Sequence, residues 1–238
     1  MSPPRLHVSE DEESLVATVA DALTNVLVAP GPHHLVLTGG GVGTRVLGAL
    51  AERGATMDWS RVHVWWGDER FLAAGDPERN ETGAREALLD VVPIPADHVH
   101  AMPADTGQGV EPAAMAYADE LAAHSDDGYA PDFDVLLLGM GPEGHVASLF
   151  PGMPEIHAAQ SAVPIENSPK PPPTRISLSL AAIRSAREVW VVAAGAGKAD
   201  AAAAALSDAT SPDDVPAAGA RGRVDTVFWL DRAAAGRS

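Results

Sequence analysis

Of the nine histidines in the chain, His145 stands in the setting best suited to proton transfer. It ends the segment Gly139-Met-Gly-Pro-Glu-Gly-His145, directly after the apolar run Val-Leu-Leu-Leu138. A histidine in a glycine-rich loop at the end of a buried strand is partly desolvated. With an ordinary pKa of about 6.5 it is neutral at pH 7 and able to accept a proton. Glu143, two residues earlier, is a carboxylate that could orient the ring, as in a triad without its nucleophile. No serine offers itself as that nucleophile. Gly-x-Ser-x-Gly is absent, and Ser148 lies in Val-Ala-Ser-Leu-Phe-Pro without elbow glycines. Hydrolysis here would therefore use a histidine-activated water.

Three more polar motifs each follow an apolar run. Thr38-Gly39-Gly40-Gly41 is either a tight strand-to-helix turn or an anion cradle. Its glycines let backbone N–H groups approach an anion, and the helix behind offers its positive end. It is not a Walker loop, because no Gly-Lys-Ser/Thr follows. Gly67-Asp68-Glu69-Arg70 sets two carboxylates beside a guanidinium whose fork suits phosphate oxygens. Gly195-Ala-Gly-Lys198 puts a cation at the opening of a helix, opposing its dipole by up to about 1 kcal/mol, which a bound anion would offset. Arg175, just beyond the proline-rich stretch 168–173, could reach the same edge. His98 and His100, at alternate positions of an expected strand, could hold a metal, but no third ligand is evident and no metal is expected. His33 and His34 flank a strand start and read as structural.

The elements that must position these residues alternate in type. Ser9 followed by Glu12 has the pattern of a capping box, and apolar residues from Leu15 to Leu27 recur at helical spacing, so a helix is expected over 10–28. Buried strands are expected over 34–37, 63–66, 134–138, 188–192 and 226–230, a short strand over 98–102, and a half-exposed or edge strand over 176–180. Helices are expected over 44–52, 80–89, 112–124 and 198–206, and residues 207–222 read as a long polar loop. This alternation predicts an α/β fold: one domain over 1–238, a doubly wound, mostly parallel sheet with helices on both faces. In such a sheet ligands bind outside the carboxyl ends of the strands, where all four polar motifs would meet.

The 238 residues carry 16 basic and 33 acidic side chains, a formal net charge of −17. Without a basic run, such a chain repels nucleic acid and anionic membrane. Only two of the basic residues are lysines, Lys170 and Lys198. No apolar run approaches the ~20 residues of a membrane span, and no secretory signal is expected at the N-terminus. The absence of cysteine fits a reducing cytoplasm.

Taken together, TGGG, WGDERF with Asn80 downstream, GMGPEGHVASLFPG, TRISLS and the Gly-x-Gly-Lys helix opening resemble the 6-phosphogluconolactonase family over about residues 8–231. The segment around His145 is the most specific part. The resemblance implies an α/β fold shared with glucosamine-6-phosphate deaminase and ribose-5-phosphate isomerase. It also implies hydrolysis of 6-phosphoglucono-δ-lactone to 6-phosphogluconate in the pentose phosphate pathway, without metal or cofactor, by a cytoplasmic monomer or weak homo-oligomer. It implies His145 as general base on water, Asp68 and Glu143 as neighbouring carboxylates, and Thr38, Gly39, Gly40, Gly41, Arg70, Arg175 and Lys198 as phosphate or substrate contacts. Two positions depart from the family pattern. Glu143 stands where aspartate is frequent, and Val42-Gly43 stand where a Ser/Thr-Pro pair is common. The deaminase branch places a glutamate five residues after the histidine, where this chain has Phe150. A sugar-phosphate sensor would need a DNA-binding module, for which the early first helix leaves no expected room.

Overall fold

The computed structural model describes residues 3–236. In chain order its elements are β1 (Arg5–Ser9), α1 (Glu12–Leu27), β2 (His33–Leu37), α2 (Gly41–Glu52), β3 (Val62–Trp66), β4 (Asp68–Arg70) and α3 (Asn80–Ala84). There follow α4 (Val110–Ala123), β5 (Val135–Gly139), β6 (Ala162–Ile165), β7 (Arg175–Leu178), α5 (Leu180–Ser185), β8 (Glu188–Ala193), α6 (Ala199–Ala205), α7 (Pro216–Gly219) and β9 (Asp225–Asp231). Six strands form one sheet in the order β1-β9-β8-β5-β2-β3, every neighbouring pair parallel.

The order explains where a site must form. From β2 the chain crosses outward to β3, whereas from β5 it proceeds the other way, through β8 to β9. The direction reverses between β2 and β5. Right-handed crossovers then put α1 and α2 on one face and the β8–β9 connection, with α6 and α7, on the other. At such a switch point the loops leaving the two central strands diverge and leave a crevice. Those loops are residues 38–41 and 140–145.

A second, three-stranded antiparallel sheet, β4-β7-β6, sits beside the first. β4 follows β3 after Gly67 alone, so the end of the outermost parallel strand peels into the small sheet. Its register sets Asp68 opposite Ser177 and Arg70 opposite Arg175. One continuous hydrophobic core runs under both sheets, from Leu15 and Val19 of α1 through Leu136 of β5 to Ile176 of β7. Among the described residues no helix is long and apolar enough to cross a membrane.

Several elements differ from expectation. β1 is an additional edge strand that stays largely exposed, so its pattern carries no burial signal. The cap of α1 is Asp11, whose side chain takes the Ser14 N–H while the Ser14 hydroxyl takes the Asp11 N–H. Ser9 instead ends β1. The expected strand at 98–102 is a 3₁₀ turn (Ala96–His98) and one bridge from Val99 to Val64. β7 is neither half-exposed nor at an edge; it is the buried middle strand of the small sheet, its one serine, Ser177, satisfied by hydrogen bonds. The helix expected over 80–89 is α-helical only to Ala84 and continues as a π turn (Arg85–Leu89). Residues 207–222 include α7, whose Ala217 and Gly219 are buried.

Candidate active site

Thr38, Gly39, Gly40, Asp68, Arg70, His145, Arg175 and Lys198 line one open cleft with Asn80, Gly139, Met140, Gly141 and Ala147. Gly41 starts α2 immediately behind this lining. Gly40 caps α2 with φ +84°, a conformation glycine adopts without strain, and no side chain caps the helix. The first-turn N–H groups of a twelve-residue helix are thus left for an anion. Gly39 is required by contact: a Cβ there would overlap the Asn80 side-chain amide. The unusual Gly43 is also fitted to its place, since a Cβ would press on Thr38 at 2.9 Å.

Across the cleft the Gly67-Asp-Glu-Arg70 segment is a rigid wall. The Glu69 carboxylate is buried and accepts the backbone N–H groups of Arg70, Asn80 and Glu81 at 2.6–2.8 Å. Burial pushes its pKa up, and those N–H groups and the Arg79 guanidinium oppose the shift. Arg79, fully buried at 3.7 Å from Glu69, also donates to the Met102 carbonyl. Asn80 donates to the Asp68 carbonyl at 2.8 Å and accepts from Arg70 Nη1 at 3.0 Å. Arg70 Nη1 also holds the Glu78 carbonyl, while Nε and Nη2 have no partner among the described residues. A fixed guanidinium with a free two-donor edge is suited to bidentate phosphate binding.

Asp68 accepts from the fully buried Ser148 hydroxyl at 2.6 Å, with Arg175 Nη1 at 3.9 Å. Ser148 is therefore a positioning hydroxyl, closed off from any substrate. Arg175 donates to the carbonyls of Lys170, Pro171 and Pro172, and to Ser148. Of its five N–H donors it keeps one for the cleft. Its main work is to hold the loop carrying Lys170.

His145 stacks on Phe150 with ring centroids 4.2 Å apart. Its Nδ1 lies 3.2 Å from Glu143 Oε2 and 3.5 Å from Lys170 Nζ. Gly141 makes the approach possible, since a Cβ there would collide with both His145 and Glu143. Lys170 Nζ lies 2.9 Å from Glu143 Oε1. Burial works to raise the Glu143 carboxyl, but Lys170, a backbone N–H and His145 outweigh it and bring the pKa to about 2. Burial, and next the Lys170 charge, lower the His145 pKa below its ordinary value, with Glu143 opposing. The ring is consequently neutral at pH 7. Lys198 is also lowered, by burial and by Lys170. Of the two lysines, Lys198 lines the cleft and Lys170 stands beside Glu143 and His145.

A model of the family described as glucosamine-6-phosphate isomerases/6-phosphogluconolactonase matches residues 9–229. The chain belongs to that family. The 6-phosphogluconolactonase of Streptomyces coelicolor is 51% identical, covering 98% of this chain and 94% of its own. That of Mycobacterium tuberculosis is 46% identical over 98% and 97%. The crystal structure of 6-phosphogluconolactonase from Thermotoga maritima, 27% identical, superimposes with a TM-score of 0.83 over 96% of this chain and 99% of the other. A monomeric glucosamine-6-phosphate deaminase shares the fold, with a TM-score of 0.82 at 18% identity.

Within this glucosamine-6-phosphate isomerase/6-phosphogluconolactonase family member, every anticipated site residue is at the cleft or directly behind it. Glu143 does not line the cleft; it stands behind it, 3.2 Å from His145 Nδ1. Sequence reasoning missed Lys170 and did not assign roles to Asn80 and Ser148. For Lys170 the available signal was its rarity: one of two lysines in a chain of net charge −17.

Proposed function

We propose that this cleft hydrolyses 6-phospho-D-glucono-1,5-lactone to 6-phospho-D-gluconate, a step of the oxidative pentose phosphate pathway. The observation that carries the reading is a neutral histidine, oriented at Nδ1, facing a cleft that gathers Arg70 and Lys198 in a strongly acidic protein, with Lys170 paired to Glu143 behind it. The Nδ1–H donates to Glu143, which leaves the Nε2 lone pair for a water proton. The resulting hydroxide adds to the lactone carbonyl carbon. Collapse of the tetrahedral oxyanion breaks the bond to the ring oxygen, which takes the proton back from the imidazolium. General-base help of this kind supplies about 10²–10⁴-fold. The phosphate serves as the handle, received by the open end of α2 and the loop at Gly39–Gly40, by the free edge of Arg70 and by Lys198. Asp68 is a second carboxylate at the cleft, fixed by Ser148 and Asn80 and acting on the imidazolium through its charge.

All these groups come from one chain, so a monomer suffices. A charged sugar phosphate does not cross membranes freely, which supports a cytoplasmic location. Phe150, buried against His145, occupies the place where the deaminase branch carries its glutamate, and so favours plain hydrolysis. The test follows freshly generated 6-phosphogluconolactone by NMR against its spontaneous opening, with ammonia release from glucosamine 6-phosphate measured alongside. Accelerated, EDTA-insensitive opening without ammonia is expected. No acceleration, or release of ammonia, overturns the assignment.

A further inference from the structure

Five of the nine histidines gather far from the cleft, at the other end of β3. His63 stacks on His98 at 3.8 Å, His34 on His63 at 4.9 Å, and His100 lies parallel to Trp65 at 3.8 Å. His100 Nδ1 lies 2.8 Å from Glu120 Oε1, and its Nε2 lies 3.0 Å from His63 Nδ1. Glu120 and His124 project from the C-terminal end of α4 at i, i+4 spacing, on one face. His124 Nδ1 bonds the Glu120 carbonyl at 3.0 Å, which leaves its Nε2 with a lone pair.

We propose that His100, Glu120 and His124 form a binding site for a divalent transition-metal ion of the zinc class. Their donor atoms lie within 4.8 Å of one another. Around one ion with bonds of about 2.0–2.2 Å, donors sit roughly 3.3–3.6 Å apart, so closure needs a movement of about an ångström. The parts can make it. His100 is buried and fixed by Trp65, while the side chains of Glu120 and His124 are 45% and 34% exposed and free to adjust. Two imidazoles and one carboxylate suit zinc-class ions in preference to magnesium or calcium, which favour all-oxygen sets. The exposed side leaves a fourth position for water. His63 Nδ1 is placed to accept the Nε2–H of His100, the outer hydrogen bond that directs Nδ1 to a metal. The adjoining hollow adds Asp126, Asp127 and Asp134, whose field draws a cation in, while Asp132 there is paired with Arg223. The bound ion would clamp the end of α4 to the segment after the 3₁₀ turn.

The experiment titrates Zn²⁺ into EDTA-stripped, desalted protein by calorimetry, with thermal melts in parallel. Wild type should bind one ion per chain and melt higher as Zn²⁺ rises. Glu120→Gln and His124→Gln should each weaken binding by at least about 10–100-fold, the loss typical of removing even an outer partner, and keep full lactonase activity. His145→Ala should bind Zn²⁺ like wild type. Absence of saturable 1:1 binding in wild type overturns the proposal. So does binding that survives both substitutions, or binding that disappears with His145→Ala.

Discussion

Gly39→Ala tests how the glycine loop and the Arg70 wall depend on each other. The added methyl would fall inside the van der Waals envelope of the Asn80 amide. Asn80 is buried and cannot swing to solvent. Displacing it breaks two bonds to Asp68, at 2.8 and 3.3 Å, and the 3.0 Å bond from Arg70. Overpacking of this kind destabilises by about 1–3 kcal/mol, and in a chain of this length each kcal/mol lowers Tm by about 2–4 °C. Loss of the charge-assisted Arg70 contact adds about 1.5–3 kcal/mol to substrate binding, roughly 10–150-fold. The expected result is a Tm lower by about 3–10 °C and a kcat/KM lower by one to two decades. The loss should fall mainly in KM, because His145 lies on another loop. Lactonase kinetics and calorimetric melts read both. The control is Gly39→Ala combined with Asn80→Ala, which removes the clashing amide. That double variant should be no worse than Asn80→Ala alone, a non-additivity expected of residues in contact. Strict additivity, or a Gly39→Ala enzyme with wild-type KM and Tm, would refute the reasoning.

Four further outcomes follow from the same geometry. His145→Ala should lower kcat by about 10²–10⁴-fold while the product sugar phosphate still binds in calorimetry; near-wild-type turnover would remove His145 from the chemistry. Lys198→Ala should raise KM for the phosphorylated lactone and leave turnover of unphosphorylated gluconolactone unchanged; an equal loss on both would show that Lys198 does not read the phosphate. Lys170→Met removes a positive charge 3.5 Å from His145 Nδ1, so His145 takes up its proton at higher pH and the acid limb of kcat/KM moves in the alkaline direction; an unmoved limb would show that this charge does not reach the base. His34 and His63 are lowered to about 4, mainly by burial and then by neighbouring imidazoles. The unfolded chain binds those protons near pH 6.5, so metal-free protein should keep its Tm above that pH and lose it steadily toward pH 4; a flat melt profile across that window would contradict the burial of the cluster.

What the sequence made legible follows what local physics determines. Strands β2, β3, β5, β8 and β9 are short apolar runs ended by glycine or a polar turn, because each is buried on both faces of a parallel sheet. β1 is an exposed edge, so its residues answer to solvent and carry no such run. β4 and β6 have three and four residues, and their existence depends on β7 lying between them. The local pattern of a strand cannot announce a partner about a hundred residues away. The same limit governs the site. Arg70, beside Glu69 in sequence, looks like half of a local ion pair, yet Glu69 turns inward to Arg79 and leaves Arg70 its free edge. Lys170 looks like a residue in a proline-rich connection until Arg175 ties that connection down beside Glu143. His98 and His100 were visible as a pair, but it is His100 that meets Glu120 and His124, from a helix twenty residues on, while His98 stacks on His63.

The cleft itself was legible because it depends on topology before it depends on any contact. Once five apolar strands are parallel and the direction of winding reverses between β2 and β5, the loops after those strands must diverge at one edge. Glycines 39, 40, 139 and 141 line that edge, and at 39 and 141 a Cβ would strike Asn80 or His145. The chemistry at that edge is set by where the few cations go. With 33 acids spread over the chain, an anionic substrate is turned away almost everywhere. On the function proposed above, Arg70, Lys198 and the open end of α2 make the crevice at His145 the place where a phosphate can settle. Behind that crevice the Lys170 charge, after burial, helps keep His145 unprotonated.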